Sequence, residues 1–148
     1  MKYLIGIALL LGALTACKQS TGGIEQVGIS PKSDAYSQAD NAALIQAFQS
    51  KKSHLFVEGS GVVKKLLAED NKGARHQKFL VSISPEQTLL FAHNIDLAPS
   101  VPVAVGDTIQ FRGEYIYNPK GGVLHWTHRD PQAKTEGGWI KLNGQLYH

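Results

Sequence analysis

The sequence predicts a mainly β domain, a small curled sheet of five strands closing into a barrel and preceded by one short helix. Three observations carry that prediction. From His54 onward, β-branched and aromatic residues come in short runs separated by Gly, Asn, Asp or Pro. Several of those runs alternate apolar and polar residues with a period of two, as half-buried strands do. The first run holds Gly59 and Gly61 at places where a strand can bend sharply.

The helix comes first in chain order. Ser37 or Asp40 offers an N-cap, Leu44, Ile45 and Phe48 have helical spacing, and the helix should end near Lys52. The first strand is expected over Leu55 to Leu67, and the turn Glu69-Asp70-Asn71-Lys72-Gly73 should return it as a hairpin with a second strand, His76 to Ser84. There Phe79, Val81 and Ile83 alternate with Lys78, Ser82 and Ser84. A third strand follows over Thr88 to Ile95. Leu97-Ala98-Pro99-Ser100-Val101-Pro102 carries two prolines and cannot pair well, so it reads as a crossing connection before Gly106-Asp107 restarts a strand. In the fourth strand, Thr108 to Tyr117, Ile109, Phe111, Tyr115 and Tyr117 should point inward, with Thr108, Gln110, Arg112 and Glu114 on the other side. The fifth, Gly122 to Thr127, should send Leu124 and Trp126 into the core. A three-stranded meander, a crossover and two further strands make a barrel of the OB-fold kind.

Ahead of this domain lie two segments of different character. Lys2 is followed by an apolar run from Tyr3 to Ala13, roughly eleven residues where about twenty are needed to cross a bilayer. The run ends in Leu14-Thr15-Ala16-Cys17, which resembles the lipobox of a bacterial lipoprotein. The resemblance implies a signal peptide over 1–16 and an acylated Cys17 holding the mature chain to a lipid bilayer, because durable attachment needs more than one fatty chain. Lys18 after the cysteine resembles the sorting pattern for the outer membrane. Residues 17–37 are polar, contain Gly and Ser and lack a period, as a tether does. The barrel domain with its helix is expected over 38–148.

A mature chain of about 130 residues suits one core. Its small positive excess is spread along the chain, so nucleic acid is not an expected partner. With the only cysteine lipidated, neither a disulfide nor a cysteine-ligated zinc site can form. No phosphate-cradling loop and no Gly-x-Ser-x-Gly elbow occurs, so no cofactor is implied and a serine hydrolase is not expected.

The chemistry-bearing residues fall in three clusters. Gly121 to Pro131 contains His125, Trp126, His128 and Asp130, the densest mixture of polar and aromatic groups in the chain. The two histidines are three apart, which diverges on a strand, so they could share a metal only if the chain bends after them and His76, His93, Asp96 or Glu114 joins. Otherwise His125 is a surface residue, and His128 with Asp130 caps a turn. His93, Asn94 and Asp96 end the third strand, where barrels place binding groups, although Asn94 and Asp96 could equally bond their own backbone. Glu114, Tyr115 and Asn118 form the third cluster, beside Gly113.

A family resemblance rests on a series of these residues: His76-Gln77, Ala92 to Ala98, Gly106-Asp107, Gly113-Glu114-Tyr115, Asn118, Lys120-Gly121-Gly122, His125 to His128, Asp130-Pro131 and Gly138-Trp139-Ile140. Over about Leu55 to Tyr147 the chain resembles the bacterial domain family of unknown function numbered 3465. That resemblance implies a small OB-type barrel of unestablished activity. It also implies a histidine where this chain carries Arg129, and the departure weighs against a metal site.

Three functions follow as expectations. The first is a lipid-anchored binding module whose envelope ligand lies against His93, Asn94, Asp96, Glu114, Asn118, His125, His128 and Asp130. The second, by analogy of fold alone, is a metal-dependent phosphodiesterase or nuclease-like hydrolase using Arg112, Glu114, Asp96, His125 and His128, with a histidine as general base. The third is a structural envelope protein that uses the polar cluster as a protein interface.

Overall fold

The computed structural model describes residues 41–70 and 73–148. The segments expected as signal peptide and tether, Cys17, both proposed N-caps and the Asn71-Lys72 turn tip lie outside the described residues. The rest is mainly β: one helix, α1 (Ala42–Gln49), then β1 (Leu55–Asp70), β2 (His76–Ser82), β3 (Thr88–Asn94), β4 (Thr108–Ile116), β5 (Val123–His125), β6 (Trp139–Leu142) and β7 (Gln145–Tyr147).

Five of the seven strands form a ring. β1 pairs antiparallel with β2, β2 with β3, β4 with β5 and β4 with β1, while β3 meets β5 in parallel through Leu90↔Val123 and Phe91↔Leu124. β1 closes the ring because it serves two partners in succession, β4 along Leu55–Val62 and β2 from Val62 to Asp70. The bend between them needs its glycines. A Cβ on Gly61 would sit 2.5 Å from the Ser82 carbonyl oxygen, and one on Gly59 would sit 2.5 Å from Asn41 Oδ1. The two strands that sequence periodicity misses extend β4. Its free edge is divided, Glu114–Ile116 pairing with β5 and Ile109–Arg112 with β6, and β7 then pairs with β6.

The predicted faces hold for most of the core. Phe79, Val81, Ile83, Ile109, Phe111, Tyr115 and Leu124 are buried, with Phe79 stacked on Phe91 at 5.1 Å and Phe91 edge-on to Phe111 at 5.0 Å. Such ring pairs add about 1 kcal/mol to the area they bury. Tyr117 is only partly buried and packs on Phe48 of α1. Trp126 corrects the sequence expectation. β5 ends at His125, Trp126 turns to φ +54°, and its side chain stays outside with the residue 37 % exposed. The alternation that would have turned it inward stops one residue before it.

The helix is shorter than expected, and its first-turn contacts explain where it sits. Asn41 occupies the N-cap position but caps nothing with its side chain. Its amide is fully buried, donating to the carbonyls of Ser60 and Ile83 at 2.9 Å each and accepting from Ser60 N–H at 3.0 Å. One side chain thus ties the helix start to β1 and to the end of β2, and lets Leu44 and Ala47 join the core. Among the described residues no helix is long and apolar enough to cross a membrane.

The β3–β4 connection crosses the ring end as the prolines require and is clamped there. Gln77 Nε2 donates to Val101 O at 2.7 Å and Gln77 Oε1 accepts from Val101 N–H at 2.9 Å, as a neighbouring strand would, and Val101 and Val103 are buried beneath.

Candidate functional site

The sequence-predicted site residues divide into those consumed by the fold and those left available. His93 belongs to the first group. It is fully buried, with Nε2 3.0 Å from the Pro99 carbonyl oxygen and Nδ1 2.8 Å from Thr127 Oγ1. A carbonyl can only accept, so Nε2 carries the proton and the neutral Nδ1 accepts from the Thr127 hydroxyl. Burial pushes the His93 pKa below its ordinary value, and the nearby imidazoles of His128 and His76 push the same way. His93 is therefore a neutral pin between β3, the crossing connection and the segment after β5.

Asp96, Asn118 and Asp130 are likewise spent on backbone. Asp96 accepts from Arg75 N–H at 2.7 Å and Arg75 Nε at 2.8 Å, and these bonds hold its carboxyl below the usual range. Asn118 Oδ1 accepts from the N–H groups of Lys120 and Gly122, shaping the tight turn before β5. Asp130 accepts from the N–H groups of Gln132, Lys134 and Thr135 and from the Thr135 hydroxyl. Those bonds also depress its pKa, the Gln132 N–H foremost. These are the turn-forming roles open to Asp and Asn.

Glu114 lies on the outward face of β4 between two imidazoles. Its Oε1 is 2.9 Å from Nδ1 of His54, a residue held at φ +61°. On the other side His125 Nε2 lies 3.1 Å from Glu114 Oε2, yet it is poorly aligned for a hydrogen bond and is sealed from solvent. The contact is thus a charge attraction that operates when the imidazole is protonated. Arg112, two residues earlier on the same face, is engaged elsewhere, with Glu58 at 2.7 Å, the Gly137 carbonyl at 3.0 Å and the Phe56 ring at 5.6 Å.

Asn94, His125 and His128 do come together. With His76, Leu97 and Trp126 they line a shallow groove offering about 250 Å³ on the outward side of β2, β3 and β5, and Ala92 and Pro131 complete its walls. Register explains the assembly. His76 and Asn94 are cross-strand partners on β2 and β3, Ala92 lies two residues before Asn94 on the same face, and the parallel pairing of β3 with β5 sets His125 beside it. The bend at Trp126 then folds the next residues over the end of β5. His128 donates from Nδ1 to the Arg129 carbonyl at 2.7 Å, and its ring lies 5.2 Å from the Trp126 indole.

The polar groups of the groove are largely uncommitted. Among the described residues no protein partner meets either ring nitrogen of His76, Nδ1 of His125, Nε2 of His128, the indole N–H of Trp126 or the Nδ2 of Asn94, whose Oδ1 accepts from Asp96 N–H. No Lys, Arg, Asp or Glu side chain lines it. Among the described residues no three His, Cys, Asp or Glu side chains gather as metal ligands would. Sequence reasoning placed Trp126 in the core and Leu97 in a connection. The signal that could have found Trp126 is the short, polar-flanked His125-Trp126-Thr127-His128 segment running into Asp130-Pro131, too broken to continue a strand.

No curated protein and no solved structure matches this sequence. The family described as "Protein of unknown function (DUF3465)" matches residues 28–148, most of the chain and all of the groove, and the chain therefore belongs to that family.

Proposed function

We propose that this protein is a lipid-anchored binding module of the bacterial envelope, an OB-type barrel that takes its ligand in the groove between His76, Asn94, His125, Trp126 and His128. The ring order β1-β2-β3-β5-β4-β1, with a parallel joint between β3 and β5, supports the OB reading, and so does a groove on the outward β2–β3 side, where such barrels take ligands. The lipobox-like Leu14-Thr15-Ala16-Cys17 supports the anchor and Lys18 the outer-membrane destination. One observation carries the binding role: a large aromatic residue stays exposed at a backbone angle L side chains rarely adopt, and each polar side chain around it keeps at least one donor or acceptor atom with no protein partner among the described residues.

The tests are separable. Replacing Cys17 by serine should move the protein from the membrane to the soluble fraction, and unchanged membrane retention overturns the anchor. Titration of isotope-labelled protein with glycan, peptide and lipid fractions of the envelope should shift the amides of residues 76, 94 and 125–128 together. If no fraction does so, the binding role fails. The hydrolase reading keeps one supporting contact, that of Glu114 with His125, since Arg112 and Asp96 are engaged elsewhere. Chelator-sensitive phosphodiester turnover lost in Glu114→Gln would favour it.

A further inference from the structure

We infer that the groove ligand is a neutral sugar ring of an oligosaccharide, stacked on Trp126; the inference rests on the binding role proposed above. OB-type barrels accept oligonucleotides or oligosaccharides on this outward face, and the two make different demands on it. A nucleic-acid strand requires cations placed along its phosphates, because phosphate neutralisation supplies most of its affinity. Here no Lys or Arg lines the groove. The cations nearest by register are already matched: Arg75 is bound by Asp96 and Lys78 lies 3.7 Å from Asp70. Arg129, next to His128, points its guanidinium at His148 Nε2, 2.8 Å away.

What the groove does offer suits a polyol. Hydroxyl groups both donate and accept: His128, whose Nδ1 proton goes to the Arg129 carbonyl, offers Nε2 as an acceptor, His125 offers Nδ1, and His76 offers both ring nitrogens. The Asn94 Nδ2 and the Trp126 indole N–H add donors. An indole face covers the apolar side of a pyranose, and His128 holds that indole in place at 5.2 Å. Leu97 and Pro131 supply the apolar rim. At about 250 Å³ the groove is below the range that encloses a drug-sized ligand, as expected for gripping one ring of a longer chain.

The experiment uses the full chain, solubilised in a detergent without a sugar headgroup. Its probes are chitotriose, cellotriose and maltotriose, with a short thymidylate oligomer and inorganic phosphate as counter-probes. Trp126 and Trp139 give separate indole N–H resonances that Trp126→Phe assigns. At least one neutral trisaccharide should move the Trp126 indole and the amides of 94 and 125–128, with an affinity insensitive to salt. Trp126→Ala should weaken it by about ten-fold, and Trp126→Phe should retain most of it. If thymidylate or phosphate moves these resonances in a salt-dependent way and the sugars do not, the sugar assignment fails while the binding groove stands. If groove resonances respond to none of the probes and to no envelope fraction, both fail.

Discussion

The two polar clusters of this molecule look alike in sequence and differ in what their side chains are bonded to. At the ring end and in the loops, Asn41, His93, Asp96, Asn118 and Asp130 all hold backbone groups or a buried hydroxyl. Across the outward groove, His76, Asn94, His125, Trp126 and His128 leave most of their hydrogen-bonding capacity unused. A polar residue whose bonds are consumed by its own chain is architecture. One held in place with its bonds open is available to something else.

That contrast can be broken most forcefully at Asn41. Asn41→Ala strands three buried backbone groups, and chemical denaturation should show a loss of about 4 kcal/mol. An effect near zero would mean that the amide is not the tie between helix and sheet. Next comes His93. His93→Leu leaves Thr127 and the Pro99 carbonyl without their partner and should cost about 2 kcal/mol. The same residue carries a pH signature. Its folded-state pKa lies below the ordinary 6.5, so the unfolded chain binds the proton first. The stability it contributes is complete above about pH 6.5 and is lost as pH falls from there towards the lowered folded value. Denaturation midpoints measured across that window should decline in the wild type and decline less in His93→Leu; equal slopes would assign the acid sensitivity to other groups. The smallest effect belongs to the groove. His76→Ala and His125→Ala should each change stability by within about 0.5 kcal/mol, since neither side chain makes a hydrogen bond among the described residues. A larger loss would move these two histidines into the architectural set.

Much of the ring was legible in the sequence because burial there follows a period of two. Ile109, Phe111 and Tyr115 on β4, and Phe79 and Val81 on β2, are buried as their alternation requires. The glycines of β1 marked its bend and the prolines marked the crossing connection. β6 and β7 were not legible, since four- and three-residue strands are too short to display a period, and their pairing to half of the β4 edge is a tertiary fact. For the site, residue types and positions were visible while bonding states were not. Asn94 and Asp96 stand two apart, yet one faces the groove and the other closes a turn on Arg75, twenty-one residues away in sequence. Alternation misplaces Trp126 because a single left-handed residue ends the strand one position early, and only the polar segment running into Asp130-Pro131 hints at it.

The parallel joint between β3 and β5 has a kinetic corollary. β1, β2 and β3 can zip together through near neighbours, whereas the β5 seam requires the long crossing and the docking of β4 on β1, so it should be the slowest contact to establish and the first to loosen. The groove straddles that seam. An occupant gripping both banks acts as a clasp, and native-state hydrogen exchange at Leu90, Phe91 and Leu124 should slow when the groove is filled, more than anywhere along the β1–β2 hairpin.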